Sequence, residues 1–405
     1  MEAKKFNNNK DWFFISEKLD ALMNSLPVPP HTRKEFNDYD LYLFWTKLFT
    51  SGGGSSQLYA NALFVDSAFG NNAGAVPFSL MDNTTNPVAH KYATIKNAVA
   101  DATPGSVIIV YPGSYAEDIN LYKNGVTFYF YPGASVVSVS ESALFQSQAN
   151  GQNCEVYGSG NFSNGSIGGV IHMNTESRIF FQCHDIQANS NPIQIGDGHI
   201  ELYCNDLLCI QNAAVNIIDG TVAGASLFIE AHTIRNLSPF NGNHVINNVT
   251  GGPGYQGTAK IKAYKISSSP NAGNSILAFD NFIVPAGASF EIEADIFEPL
   301  NNTNGDALIH FFFNNNTKVV IKGNIDCTLF PLRRPIHVEG PNPGCEFIFI
   351  GDIIAKDQAV LTLVGSGQIM RMIGRFQSDA PDTMIVSGSN CVTYFDGEID
   401  NHPIT

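Results

Sequence analysis

Charged side chains are scarce in this sequence. They make up 15% of the 405 residues, against roughly 25% in an average globular chain. The few charges lean acidic, with 22 Lys and Arg against 37 Asp and Glu and a net charge of −15. That balance argues against nucleic acid and against an anionic membrane as the partner, because both demand clustered basic residues. No run of 18 apolar residues occurs, so no helix that inserts into a membrane is expected. The seven cysteines include no C-x-x-C pair, which excludes the short paired spacings of a zinc knuckle or a dense disulfide framework. They read as buried free thiols. The first residues, Met1 to Asn9, lack the apolar stretch of a secretory signal, so synthesis and folding in a cytoplasm are expected. Hydrophobic residues are 44% and aromatic residues 11%, enough for a large core and too many for intrinsic disorder.

Asparagine is abundant, with 41 copies beside 36 glycines. Both residues accept left-handed backbone and tight turns, so the chain is expected to turn many corners. Residues 1–50 differ from the rest. Trp12, Ile15, Leu19, Leu22 and Leu26 recur at helical spacing, Pro27, Pro29 and Pro30 stop that helix, and Leu41, Trp45 and Leu48 mark a second. Two short amphipathic helices do not bury their apolar faces alone, so 1–50 is expected to be an attachment or oligomerisation segment. Residues 51–60 read as a Gly/Ser linker, 61–105 as a lead-in with a capping helix, 106–400 as the main body and 401–405 as a tail.

From residue 106 the period becomes that of strands. Alternating runs begin at Ser177, His199, Ser226, Thr258, Ser289, Lys318, Cys345, Gln368 and Cys391. Each closes on a small residue, a polar residue and then an apolar one. The small residues fall at 160, 183, 204, 231, 263, 294, 323, 351, 374 and 397. A second strand precedes each, as at Pro192, Ala214, Ser275, Ala307, Ala359 and Thr383, and runs from Ser106 and Val126 extend the series. Such self-similarity is the mark of a repeat architecture. Turns too short for crossover helices exclude a doubly wound sheet. The expected fold is all-β, a right-handed parallel β-helix or β-solenoid of about twelve coils, with a short α-helical N-terminal segment. At about 4.8 Å per coil its length would be roughly 55–60 Å.

Stacking predicts which side chains sit over one another. The outward residue before each small one reads Glu230, Lys262, Glu293, Lys322, with Lys260 and Glu291 beside it, a ladder of alternating sign. Ile348, Ile350 and Ile373 continue it as an outward apolar patch, which suggests contact with another subunit. The densest acidic group is Glu291, Glu293, Asp295 and Glu298, with Asp295 over Asn324 and Asp352. Paired carboxylates cleave glycosides at about 5 Å or about 6.5–9.5 Å separation. Lysine partners, however, hold Glu291 and Glu293 charged and unsuited to donate a proton. Arg333 and Arg334 read as a solvated turn. His184 and His232 share the outward phase with Asn205 between them, about 10 Å apart and too far to share a metal. Outward Asn with Tyr203 and Tyr264 is a candidate sugar-binding face. The sequons at Asn161, Asn164 and Asn236 carry no meaning without secretion. No catalytic residue, metal ligand or cofactor is assigned.

The lead-in carries a resemblance. Phe64-Val-Asp66-Ser67, then Tyr92 to Val99, then Pro104-Gly105 through Pro112-Gly113-Ser-Tyr115 resembles the opening of right-handed parallel β-helices of the pectin-lyase-like superfamily. That resemblance implies a short helix closing the N-terminal end, and Thr94 to Ala102 is amphipathic, with Ile95, Ala98 and Val99 expected to face the first coil. It says little about chemistry, since the superfamily holds lyases, hydrolases, epimerases and non-enzymatic adhesins. The layout as a whole is similar to virion proteins of tailed bacteriophages, which implies assembly in a host cytoplasm. It also implies attachment to other virion proteins through residues 1–50, a homotrimer, and contact with host surface polysaccharide as a tail spike, tail fibre or baseplate receptor-binding protein. The alternatives are a polysaccharide depolymerase on the same scaffold, a purely structural decoration or collar protein, and a bacterial β-helix enzyme exported by a non-standard route.

Overall fold

The structure, a computed structural model, describes residues 62–67, 90–138, 140–218, 224–238, 244–249, 257–268, 276–282, 290–300, 307–313, 318–340, 345–380 and 384–400. The helical pair expected over 1–50, the linker 51–60 and the tail 401–405 lie outside the described residues. Nearly all of what is described belongs to one compact unit, Leu63–Thr405.

That unit is all-β with a single described helix. Its strands form two sheets, one of 19 strands and one of 10. The chain alternates between them. His199–Cys209 lies in the larger sheet, Val215–Ile217 in the smaller, Ser226–Asn236 in the larger, Ile246–Val249 in the smaller and Thr258–Ser267 in the larger. Every strand pairs in parallel with the next member of its own sheet. In the larger sheet Tyr203 sits opposite Glu230, Glu230 opposite Lys262 and Lys262 opposite Glu293. In the smaller sheet Ile193 sits opposite Val215, and Val215 opposite Ile246. Many consecutive parallel strands, with no helix between them among the described residues, are compatible with a β-helix.

Alternation sets the faces. In Ser226–Asn236 the side chains of Leu227, Ile229, Ala231 and Ile234 are buried, while Phe228 and Glu230 face out. Because the register is kept from strand to strand, like stacks on like. One inward file runs Ile186, Leu207, Ile234, Ile266, Phe297, Ile325, Ile353, Phe376. Edge-to-face phenylalanines fill another part of the core, with Phe145 and Phe181 at 5.1 Å and Phe162 and Phe181 at 4.9 Å between ring centroids. Fully burying each such side chain contributes about 1.5–3 kcal/mol.

The larger sheet bends at the small residues, and the bend comes in two forms. Cys183, Cys204, Ala231, Ala263 and Ala294 are each followed by two residues before the next inward one. Gly323, Gly351, Gly374 and Gly397 are followed by one. The single-polar-residue pattern read from the sequence therefore holds only for the glycine corners. The change falls between Glu293 and Ile296, where the register shifts against the strand Lys318–Asp326. Tightening the corner puts Gly323 and Gly351 at φ +144°, where a Cβ on Gly351 would collide with the Gly323 carbonyl oxygen. Gly160 also needs correction. Val156 pairs Phe181 and Asn161 pairs Asp185, so the lower strand carries one extra residue in its turn and Gly158, at φ +113°, takes the corner in line with Cys183.

The helix Ile95–Asp101 buries Ile95, Ala98 and Val99, as expected from the sequence. Thr94 is its N-cap and accepts from Asn97 N–H at 3.3 Å. A second cap comes from far along the chain. The buried Glu117 carboxylate accepts the Ile95 and Lys96 N–H groups at 2.7 and 3.1 Å. At the other end Lys123 Nζ donates to the Ala100 carbonyl at 3.2 Å. A carboxylate at the N-terminus and an ammonium at the C-terminus both favour the helix dipole.

Candidate functional site

The outer face of the larger sheet carries a continuous file of aromatic rings. Tyr129 stacks on Tyr157 at 5.3 Å between centroids, Tyr157 meets Phe180 at 4.8 Å, Phe180 meets Tyr203 at 5.8 Å and Tyr203 meets Phe228 at 5.5 Å. All five side chains are half-buried, and their strand neighbours Phe128, Val156, Phe181, Leu202 and Ile229 point into the core. The file zigzags between two outward positions. Tyr129 and Tyr157 are direct partners, whereas Phe180 sits opposite Glu155 and Glu201. Diagonal neighbours on a sheet are close enough for aromatic side chains to touch.

Glutamates fill the alternate places. Tyr157 Oη donates to Glu155 at 3.2 Å and Tyr203 Oη to Glu201 at 2.9 Å. Glu230 stands opposite Tyr203 in the next strand. Burial, together with these carboxylates, pushes the Tyr157 and Tyr203 phenols up to about 12. They stay neutral donors. The rings turn much of their faces toward one another, and the result is a strip of half-buried aromatic surface edged with negative charge. It can stack on the apolar face of a sugar ring and accept from its hydroxyls, and it repels polyanions. Tyr203 was expected on such a face. Tyr264 lies past the bend instead, 45% exposed and stacked on His232 at 5.1 Å. Tyr129, Tyr157, Phe180 and Phe228 were not singled out in the sequence. The signal is present for Tyr129, Phe180 and Phe228, each at an outward alternate of a run that begins at Val126, Ser177 or Ser226, whereas the strand Asn153–Gly158 that holds Tyr157 is not among those runs.

Further along, the same face becomes an ion ladder. Glu291 is held by Lys260 at 2.9 Å and Lys322 at 2.5 Å, and Glu293 lies 4.0 Å from Lys322. Glu346 pairs with Lys318 and Arg371 at 3.2 and 2.8 Å. Hydrogen bonds from Lys322 and Lys260 hold Glu291 below the usual carboxylate range, and Arg371 does the same for Glu346. Glu298 bonds Ser267 Oγ at 2.7 Å and Lys265 at 3.2 Å. Asp295 takes its place in a corner ladder. Asn324 Nδ2 donates to its carbonyl, Asp352 N–H donates to Asn324 Oδ1, and Arg375 N–H donates to Asp352 Oδ1. Glu291, Glu293 and Glu298 are thus held in ion pairs, and Asp295 joins the corner ladder through its backbone carbonyl.

Other sequence-stated residues take definite places. His184 pairs with Asp185 at 3.0 Å and His232 with the Tyr264 ring. Arg333 is not in a solvated turn. It is fully buried, with Nη2 3.5 Å from the Ala307 carbonyl, while Arg334 Nη1 lies 3.1 Å from His337 Nδ1. Asn164 and Asn236 are buried turn clamps. Asn164 Nδ2 serves the carbonyls of Ser140, Ser142 and Gly169, and Asn236 Nδ2 those of Asn212 and His244. All seven cysteines are free, five of them buried. Burial pushes the Cys154 and Cys327 thiols up to about 12. No described helix is long and apolar enough to cross a membrane. Comparison with protein-family models, curated proteins and solved structures finds no match to the chain.

Proposed function

We propose that this chain is a glycan-binding appendage of a tailed-bacteriophage virion, a tail spike, tail fibre or baseplate receptor-binding protein. Its parallel strands would wind as a right-handed pectin-lyase-like β-helix of about twelve coils, attached to other virion proteins through residues 1–50. The observation that carries the glycan reading is the aromatic file from Tyr129 to Phe228. Rings held against one another on a rigid sheet lose little conformational freedom when a ligand binds, since a tyrosine has only two side-chain torsions. The flanking Glu155, Glu201 and Glu230 narrow the ligand to a neutral or amino-sugar polysaccharide, because a uronate- or phosphate-rich chain would meet like charge. Ile350 and Ile373, partners in register on the outer face, with Ile348 two residues before Ile350, support a subunit contact and with it the homotrimer.

The test is binding of the full chain to host surface polysaccharides, read by calorimetry beside light scattering for mass. Replacing Tyr157 and Tyr203 together by alanine is expected to weaken binding at least tenfold, while circular dichroism stays unchanged. Equal affinity of the variant would reject the face. New reducing ends released during the incubation would move the reading to a depolymerase on the same scaffold.

A further inference from the structure

The smaller sheet brings together three groups that the aromatic face does not use. The strands Ala307–Phe313 and Arg334–Gly340 pair in parallel with His310 opposite His337. Both imidazoles are half-buried, since Ile309 and Phe311, and Ile336 and Val338, occupy the inward alternates. Glu339 is two residues beyond His337, so alternation returns it to the same face. His310 Nε2 lies 3.0 Å from Glu339 Oε1, and His337 Nε2 lies 3.7 Å from Glu339 Oε2. One ligand atom from each of the three falls within 4.8 Å of the other two.

Two further observations point to a ligand. His337 Nε2 is buried and has no hydrogen-bond partner among the described residues, which normally costs about 1–3 kcal/mol. The imidazole rings also stand 5.1 Å apart, tilted by 42°, so their nitrogens converge from neighbouring strands of a rigid sheet. Around a zinc ion at about 2.0–2.1 Å, tetrahedral ligands are separated by roughly 3.3–3.4 Å. The 3.0 and 3.7 Å contacts reach the two different oxygens of Glu339, and the three ligand atoms lie within 4.8 Å of one another, so closing on the ion requires side-chain shifts of about an ångström.

We infer that His310, His337 and Glu339 form a three-ligand site for a zinc-class divalent cation. Two imidazole nitrogens and one carboxylate oxygen are a donor set that suits zinc and its borderline neighbours and disfavours calcium and magnesium. Arg334 opposes loading. Its guanidinium donates to His337 Nδ1 at 3.1 Å, which leaves the proton on Nε2, the atom that must bind metal. Binding therefore requires Arg334 to turn away and the His337 proton to move to Nδ1, so Arg334 sets the affinity.

The experiment titrates the full chain with zinc chloride by calorimetry and with cobalt(II), following its visible absorption. Wild type should bind zinc with the intense cobalt bands of a low-coordinate site. Glu339→Gln, which keeps side-chain volume, and His310→Asn, which keeps a polar side chain, should each lose one equivalent or bind at least tenfold more weakly. Arg334→Gln should bind at least threefold more tightly. His172→Asn, altered in the same sheet away from the cluster, should match wild type. Wild type without zinc binding, or Glu339→Gln and His310→Asn that both keep wild-type stoichiometry and affinity, would overturn the site. An Arg334→Gln chain no tighter than wild type would overturn the gating role of Arg334.

Discussion

A single missing Cβ decides how the strands turn. From Cys183 to Ala294 the corner residue has a side chain, and two residues follow it before the chain points inward again. From Gly323 onward one residue is enough, and the backbone reaches a left-handed conformation that only glycine adopts without strain. Gly351→Ala is therefore expected to destabilise the chain by about 2–3 kcal/mol, combining an unfavourable φ with a clash against the Gly323 carbonyl. Ala263→Gly, at a corner of the other form, should cost only about 1 kcal/mol through the entropy of the unfolded chain. Urea denaturation of the two variants checks both values, and equal losses would contradict the two-corner account. Asparagine works at the same scale. Asn164 and Asn236 do more than tolerate turns: their buried amides satisfy carbonyls that the turns leave open.

The capping helix shows how one element depends on others distant in sequence. Seven residues are too few to hold an isolated helix in water. Its stability comes from burying Ile95, Ala98 and Val99 and from Glu117 and Lys123, both supplied by later strands and turns. Glu117→Ala would leave two N–H groups at a buried helix end without an acceptor, for an expected loss of about 2 kcal/mol. Glu117→Gln should lose less, because the amide oxygen still accepts while the desolvated charge is gone. Burial pushes the Glu117 carboxyl up, ahead of the lowering effect of its two N–H bonds. The native state then binds its proton more tightly than the unfolded chain. Its contribution is greatest below the unfolded value of 4.5 and declines as pH rises through the raised folded value. Thermal melts of wild type and Glu117→Gln across that range should diverge least at the acid end.

Over the whole molecule, the outer face divides into an aromatic section and an ionic section, and the two respond differently to conditions. Glu291 and Glu346 have folded pKa values below 4.5. Their contribution is complete above 4.5 and is lost as pH falls through the folded values. Glu291 and Glu346 are 21% and 25% exposed and their lysine partners 38–50%, so screening keeps each pair small. Glu291→Gln with Glu346→Gln should cost about 1 kcal/mol at pH 7. That difference should shrink in high salt and vanish at low pH. A loss that persisted at low pH and in high salt would show that packing, not charge, was removed.

Periodicity alone determined that the chain is built of parallel, stacked strands, because an alternating run locked to a small residue repeats from Ser177 to Cys391. It also determined the capping helix, with Ile95, Ala98 and Val99 as the buried face, and the cross-strand neighbours Lys260 with Glu291 and Glu293 with Lys322, although Lys322 bonds more closely to the diagonal Glu291. These features depend on residues at equal places in neighbouring repeats, which a sequence displays directly. What lay across the repeat was decided only by the tertiary structure. The aromatic file needs diagonal contacts between Tyr157 and Phe180, which no single column of the repeat shows. Glu117 reaches the helix through a loop closure whose partner the local sequence does not name. Arg333 looked like a charged turn and is buried against the Ala307 carbonyl, because the path of the smaller sheet carries that turn inward. His310 and His337 lie 27 residues apart in sequence and face each other only because the strand between them returns in register. Local chemistry chose the strands and corners; the register between strands chose which side chains meet.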